Sequence, residues 1–179
     1  ELRFDALRLA SVIPVRDERG VVAGAIHWFP PETNPPLKYI NSPGLPRERI
    51  LFGLWYLLQG WPQTFAGTIF LAEGPFDVMW LQQHGIPAVG LMGSYLGPDQ
   101  IKLLEGFARV VIIADNDKPG RKARDTIANR LLLAGRGPTE VYIAMCPDGK
   151  DPNDCSREEL NEVIAAAQTL LEAGGVFSF

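Results

Sequence analysis

Asp115 and Asp117 close the apolar run "VIIA" and are followed at once by "KPGRKA", in which Lys118, Arg121 and Lys122 flank a Pro-Gly pair. At the mouth of a strand, residues two apart point to the same side, so two such acids can converge on one ligand. A divalent cation takes oxygen ligands of this kind. The same two acids also suit a turn former and the N-cap of the helix-compatible segment that follows. Further acids recur at comparable places: Glu73 and Asp77 in "AEGPFD", and Asp148, Asp151 and Asp154 in "PDGKDPND". Each group alone can be read as helix caps favoured by the helix dipole. Gathered at one edge, uncompensated carboxylates repel one another, so the three groups together point to a magnesium-type site.

The elements that would position these acids follow from the rhythm of the chain. From "GTIFLAEG" onward, strand-like and helix-like segments alternate: "TIFLA" and "PFDVMWLQQHG", "PAVGLMG" and "PDQIKLLEGF", "RVVIIAD" and the Lys118 helix, "EVYIAM" and "SREELNEVIAAAQTLLEAG". This predicts an α/β fold with right-handed crossovers and a parallel sheet flanked by helices. In such folds ligands sit beyond the C-terminal strand ends, where the three acidic groups fall. Ahead of it, "ASVIPV" and "VVAGAIHWF" flank the turn "RDERG" as a hairpin, the Pro-rich "PPETNPP" leads to "LKYINSPGLP", and "RILFGLWYLLQG" has helical spacing. The expected organisation is a small mixed α+β unit over 1–60, the α/β domain over 61–155 and a C-terminal helical segment over 156–179.

Composition bounds the function classes. With 179 residues and 46% hydrophobic content the chain can bury a substantial core. No apolar run approaches the roughly 20 residues of a membrane span. The start "ELRFDALRLA" has neither an initiator Met nor a signal-peptide core, and the chain reads as a fragment of a cytoplasmic protein. Cys146 and Cys155 have no Cys or His at ligand spacing, so they read as reduced thiols, and no zinc is expected in this fragment. His27 and His84 are likewise structural rather than ligating. Residues 1–60 carry seven Lys and Arg against six acids, whereas 61–179 carry ten against fifteen, so the net charge of −4 belongs to the second part. Gripping duplex nucleic acid by charge alone is disfavoured; contact would be weak, local or bridged by metal. Ser94 has no His and Asp at recognisable offsets, and no Walker sequence occurs.

"AEGPFDV", "ADNDKPGRKA" and "PDGKDPND", in this order, resemble the Glu-Gly, Asp-x-Asp and third acidic motifs of the Toprim domain. "IPVRDERGVVAG", "LKYINSP" and "LFGLWYLLQ" are similar to segments that precede Toprim in DnaG-type bacterial primases, chromosomal or from phages and mobile elements. The resemblance covers nearly the whole chain and implies their RNA polymerase core, a Toprim fold with a mainly parallel sheet behind a small mixed subdomain. It implies template-directed synthesis of short RNA primers from ribonucleoside triphosphates on single-stranded DNA, with two or more Mg2+ or Mn2+ ions. A zinc-binding module and the domain that meets the replicative helicase would lie outside the fragment.

By the same resemblance Asp77, Asp115, Asp117, Asp151 and Asn153 fall at metal positions, and Glu73 is the catalytic acid or base or a residue that orients metal-bound water. Arg8, Arg16, Lys38 and Asn41 fall at template or nucleotide positions, and Lys118, Arg121 and Lys122 at triphosphate positions. Gly90, Gly93 and Gly97 would keep a loop lean for close backbone approach. Three departures stand out. Trp28 replaces a basic residue, Arg47 or Arg49 must substitute for a Lys-Gly-Arg, and the third motif pairs Asp151 with Asn153 where two acids are usual. The alternatives are a divergent Toprim nuclease or non-catalytic nucleic-acid-binding module and, less in keeping with Glu73 ahead of the Asp pair, a metal-dependent phosphatase.

Overall fold

Apolar residues alternate along the first hairpin, and the pleat sends Ile13, Val15 and Ile26 inward. In the computed structural model this hairpin belongs to an antiparallel sheet of four strands in chain order: β1 (Arg3–Asp5), β2 (Ala10–Arg16), β3 (Val22–Trp28) and β4 (Tyr39–Asn41). The residues described are 3–5, 10–31, 37–60, 67–114, 116, 118–135, 138 and 140–175. Arg8, Asp115 and Asp117 lie outside them. The β2–β3 turn closes on Asp17, whose Oδ1 accepts from the Arg19 and Val21 N–H groups at 3.0 and 2.8 Å. That carboxylate holds the turn as an Asx-type loop.

The helix expected from "RILFGLWYLLQG" is shorter: α1 spans Leu54–Leu58. Gly53 adopts a left-handed conformation at φ 86°, which cannot continue a helix. Phe52 instead pairs with Gly90, each N–H donating to the other's carbonyl at 2.9 Å. The apolar run before α1 is thus used to bridge the two halves of the molecule.

The second sheet is ordered β6-β5-β7-β8-β9, from β5 (Thr68–Ala72), β6 (Ala88–Gly90), β7 (Arg109–Ala114), β8 (Glu140–Met145) and β9 (Gln168–Thr169). All its pairings are parallel except β8–β9. Helices α2 (Pro75–Gln83), α3 (Pro98–Leu104) and α4 (Lys118–Leu133) make the crossovers, and α5 (Arg157–Ala165) follows a 3-10 turn at Pro152–Asp154. The unbroken apolar runs of β5 and β7 arise because both faces are covered. Phe70, Ala72, Val111 and Ile113 face a core shared with α2, α5 and the first sheet. Ile69, Leu71, Val110 and Ile112 face a second core with α3 and α4. Chain order reverses beside β5, where β6 lies on one side and β7 on the other, so a crevice opens at their C-terminal ends.

The long terminal helix expected from "SREELNEVIAAAQTLLEAG" is also corrected. α5 ends at Ala165, and the chain turns into β9, pairing Ile143 with Gln168 and Tyr142 with Thr169. The open edge of β8 offers unpaired backbone groups, and this short strand satisfies part of it. Glu172 closes the next turn by accepting from the Thr169 N–H and Oγ1 at 2.9 and 2.7 Å.

Candidate active site

The strand mouths of the second sheet face β4 of the first across a cavity of about 360 Å³. Glu73 and Asp77 reach it from the β5–α2 junction, and Asp151 and Asn153 from the segment after β8. Lys38, Asn41 and Arg47 line it from the other lobe. Residues predicted separately from three stretches of sequence therefore share one cleft.

Local chemistry explains each placement. Gly74 and Pro75 open α2, since a proline in the first turn removes an N–H that has no helical partner anyway. Asp77 sits two residues on and accepts the Gly74 N–H through Oδ2 at 3.1 Å. Its other oxygen, Oδ1, accepts from Asn153 Nδ2 at 2.7 Å. The side chain is nearly buried, at 8% exposure, and burial pushes its carboxyl above the usual range; hydrogen bonds from Asn153 and Gly74 and the charge of Lys38 oppose that shift. The Asp151 carboxyl is also raised, first by burial and then by the charges of Asp77 and Asp154. Burial leads both shifts, and the charge of Asp77 adds to the shift of Asp151, as expected for two carboxylates lining one cleft.

Tyr39, the first residue of β4, lines the cleft with these acids. Its hydroxyl is pushed up by burial, then by Asp77 and Asp151. The ring packs against Phe76 with centroids 6.0 Å apart, and Trp28 meets the same Phe76 edge-on at 5.3 Å. Trp28, noted in the sequence as replacing a basic residue, thus braces the first turn of α2 and so fixes the residue next to Asp77. Lys38 extends its ammonium over the Tyr39 ring at 5.6 Å from the centroid.

Of the two arginines offered as substitutes, Arg47 lines the cleft, whereas Arg49 faces Asp99 at 3.6 Å. Arg47 is placed by a residue the sequence reading passed over. Gln100 is fully buried, and its Nε2 donates to the Arg47 and Ile50 carbonyls at 2.9 Å each, while Oε1 accepts the Gly97 N–H at 2.8 Å. A Cβ on Gly97 would collide with the Glu48 carbonyl, so the close backbone approach expected of that glycine is realised here. Met92 in the facing loop holds φ 57°, a conformation uncommon for a residue with a side chain, at a cleft-lining position.

Other predicted residues do not line this cleft. Lys118 and Lys122 are exposed on the first turns of α4. Arg121 donates through Nη1 to Asn116 Oδ1 at 2.9 Å, and Asn116 Nδ2 donates to Asp148 Oδ1 at 2.5 Å. Asn116, the middle residue of the Asp-x-Asp, was not singled out, yet it ties α4 to the segment that carries Asp151. Arg16 sits at the β2–β3 turn, donates to the Gly20 carbonyl at 2.7 Å and lies over Trp55, 5.3 Å from its centroid. His84 Nδ1 is 2.8 Å from the Trp80 carbonyl, in keeping with a structural histidine.

Glu73, Asp77 and Asp151 bring carboxylate oxygens to one cleft, and oxygen donors are the kind a hard divalent cation takes. Among the described residues no three His, Cys, Asp or Glu side chains stand close enough to hold one by themselves.

Residues 70–156 match a family model described as Toprim-like. The DNA primase of Aquifex aeolicus is 36% identical over 170 residues, which span 90% of this chain and 33% of that protein. A crystal structure of the Aquifex aeolicus primase, comprising zinc-binding and RNA polymerase domains, superposes with a TM-score of 0.73 at 34% identity, covering 93% of this chain and 42% of the other. A DnaG primase catalytic domain bound to single-stranded DNA superposes with a TM-score of 0.73 at 28% identity, covering 94% and 56%. The chain thus spans about a quarter to a third of the length of the curated relatives it matches.

Proposed function

From the Toprim fold that this chain shares with the catalytic cores of DnaG-type primases, we propose that it joins ribonucleotides into short primers on single-stranded DNA. One observation carries this reading. Acids from the strand mouths of one sheet and two cations, Lys38 just ahead of β4 and Arg47, line the same cleft, as a phosphoryl-transfer site needs. Glu73 and Asp151, with Asp115 and Asp117, are the positions at which two or more Mg2+ or Mn2+ ions would be held, while Asp77 and Asn153 line the same cleft as Glu73 and Asp151. Such ions lower the pKa of the attacking 3'-hydroxyl and neutralise charge on the departing pyrophosphate.

The side chains themselves do the rest. Glu73 accepts or relays the proton of the attacking hydroxyl at the cleft wall. Lys38 and Arg47 hold anionic oxygens of the nucleotide or template across from the carboxylates, and Asn41 offers an amide to the same strand. Lys118, Arg121 and Lys122 at the start of α4 draw in the triphosphate, aided by the helix N-terminus. By the family resemblance, Arg8 and Arg16 would add cations that meet the template. The replicative helicase would be met through a domain beyond this stretch of chain.

A primer-synthesis assay with labelled ribonucleotides on a single-stranded template, in Mg2+ or Mn2+, tests this reading. Incorporation should occur and should be lost in Glu73→Gln, with the melting temperature changed by no more than a few degrees. Template cleavage without incorporation would favour a nuclease instead. A protein that binds template yet neither extends nor cuts it would be a non-catalytic module.

A further inference from the structure

An amide, not a pair of carboxylates, joins the acidic mouths of β5 and β8. Asn153 Nδ2 donates to Asp77 Oδ1 at 2.7 Å, joining residues 76 apart in sequence. A carboxylate only accepts hydrogen bonds, so the amide nitrogen, not its oxygen, must face it. One turn further along the same face of α2, Trp80 Nε1 donates to the Cys155 carbonyl at 2.9 Å. Two bonds from one helix face thus clasp the 3-10 turn at Pro152–Asp154. Asp77 has its second oxygen on the Gly74 N–H, so both oxygens already carry donors.

We propose that Asn153 is a positioning residue whose amide takes the place of a cation at Asp77, so that this side of the cleft is assembled before any metal binds. The inference rests on the metal-dependent reading above and deepens it. Asp77 is then a strut between α2 and the 3-10 turn, and Asp151, two residues before Asn153, is held in register without the help of a bound ion. The substitution Asn153→Asp would set two carboxylates face to face in a contact where Asp77 is almost wholly buried. At that contact only a cation or a shared proton would offset the repulsion, and the Trp80–Cys155 bond would be left to hold the turn against it.

Melting in EDTA, melting in Mn2+ and the number of Mn2+ ions bound, read by electron paramagnetic resonance of the free ion, test this together. Asn153→Asp should melt several degrees below the wild type in EDTA, recover in Mn2+, and bind one additional Mn2+ per chain. The double variant Asp77→Asn/Asn153→Asp reverses the amide and the acid. Its amide, now on α2, can donate to the carboxylate now on the 3-10 turn while its oxygen accepts the Gly74 N–H, so it should regain most of the EDTA melting temperature and bind no additional ion. Should Asn153→Asp fail to fold in EDTA, the double variant still provides the comparison. An Asn153→Asp protein that melts like the wild type in EDTA and binds the same number of ions would overturn the proposal, while bound Mn2+ would leave the primase reading untouched. No bound Mn2+ in wild type or variants would overturn both.

Discussion

Gln100 and Asn153 show how an uncharged amide can govern a charged site. Gln100 satisfies three backbone groups from a fully buried position, and the loop it holds delivers Arg47 to the cleft. Replacing it by leucine keeps most of the volume and leaves those groups unpaired, so Gln100→Leu should destabilise the protein by about 2–3 kcal/mol. Urea denaturation measures that cost. Because Arg47 would lose its anchor, the nucleotide KM should rise more than kcat falls. A purely structural loss would instead lower the amount of folded enzyme with KM unchanged.

At the scale of elements, the stability of α5 can be tuned from its first turn. Ser156 caps it by accepting the Glu159 N–H at 3.2 Å, and Glu159 Oε2 accepts the Ser156 N–H at 2.8 Å. Ser156→Ala should therefore cost about 1 kcal/mol, seen as a lower melting temperature. Glu159 also receives the Lys150 ammonium at 2.6 Å, and Lys150 first, then the Ser156 backbone, hold its carboxyl below the ordinary value of 4.5. A lowered folded-state pKa means that the stabilisation is present above 4.5 and is lost as pH falls through the lower folded value. The stability difference between wild type and Glu159→Gln should be flat from neutral pH down to that range and vanish below it. Hydrogen exchange of α5 amides across this pH series checks the sign. A difference that grew on acidification would contradict it.

At the scale of the molecule, the two sheets share one core, with Ile13, Val15 and Ile26 of the first packed with Phe70, Ala72 and Val111 of the second. The cleft between them therefore has both walls anchored in the same apolar interior. The net charge of −4 and the acids in the cleft limit how strongly such a molecule can hold a polyanion. Single-stranded DNA should bind weakly, with a log–log salt slope reporting only about two to four phosphate contacts. Fluorescence anisotropy over a salt series gives that slope. Steep, tight binding to random duplex would contradict the proposed template path, and Lys38→Ala with Arg47→Ala should flatten the slope further.

The sheet, its helices and the acidic strand mouths were legible in residue order because their signals are local. An apolar run ending in acids before a helix start needs no distant partner to be recognised, and the β2–β3 hairpin declares itself through alternation around a turn. The short α1, the early end of α5 and the strand β9 were not legible. Each depends on backbone partners far away in sequence, such as Phe52 on Gly90 and Gln168 on Ile143. The same holds within the site. Glu73, Asp77 and Asp151 could be named from their spacing, but the choice of Arg47 over Arg49, the Gln100 anchor and the engagement of Asp77 by Asn153 required the fold. Hydrogen bonds between segments 50 to 76 residues apart leave no periodic trace in a sequence, because only packing decides which side chains meet.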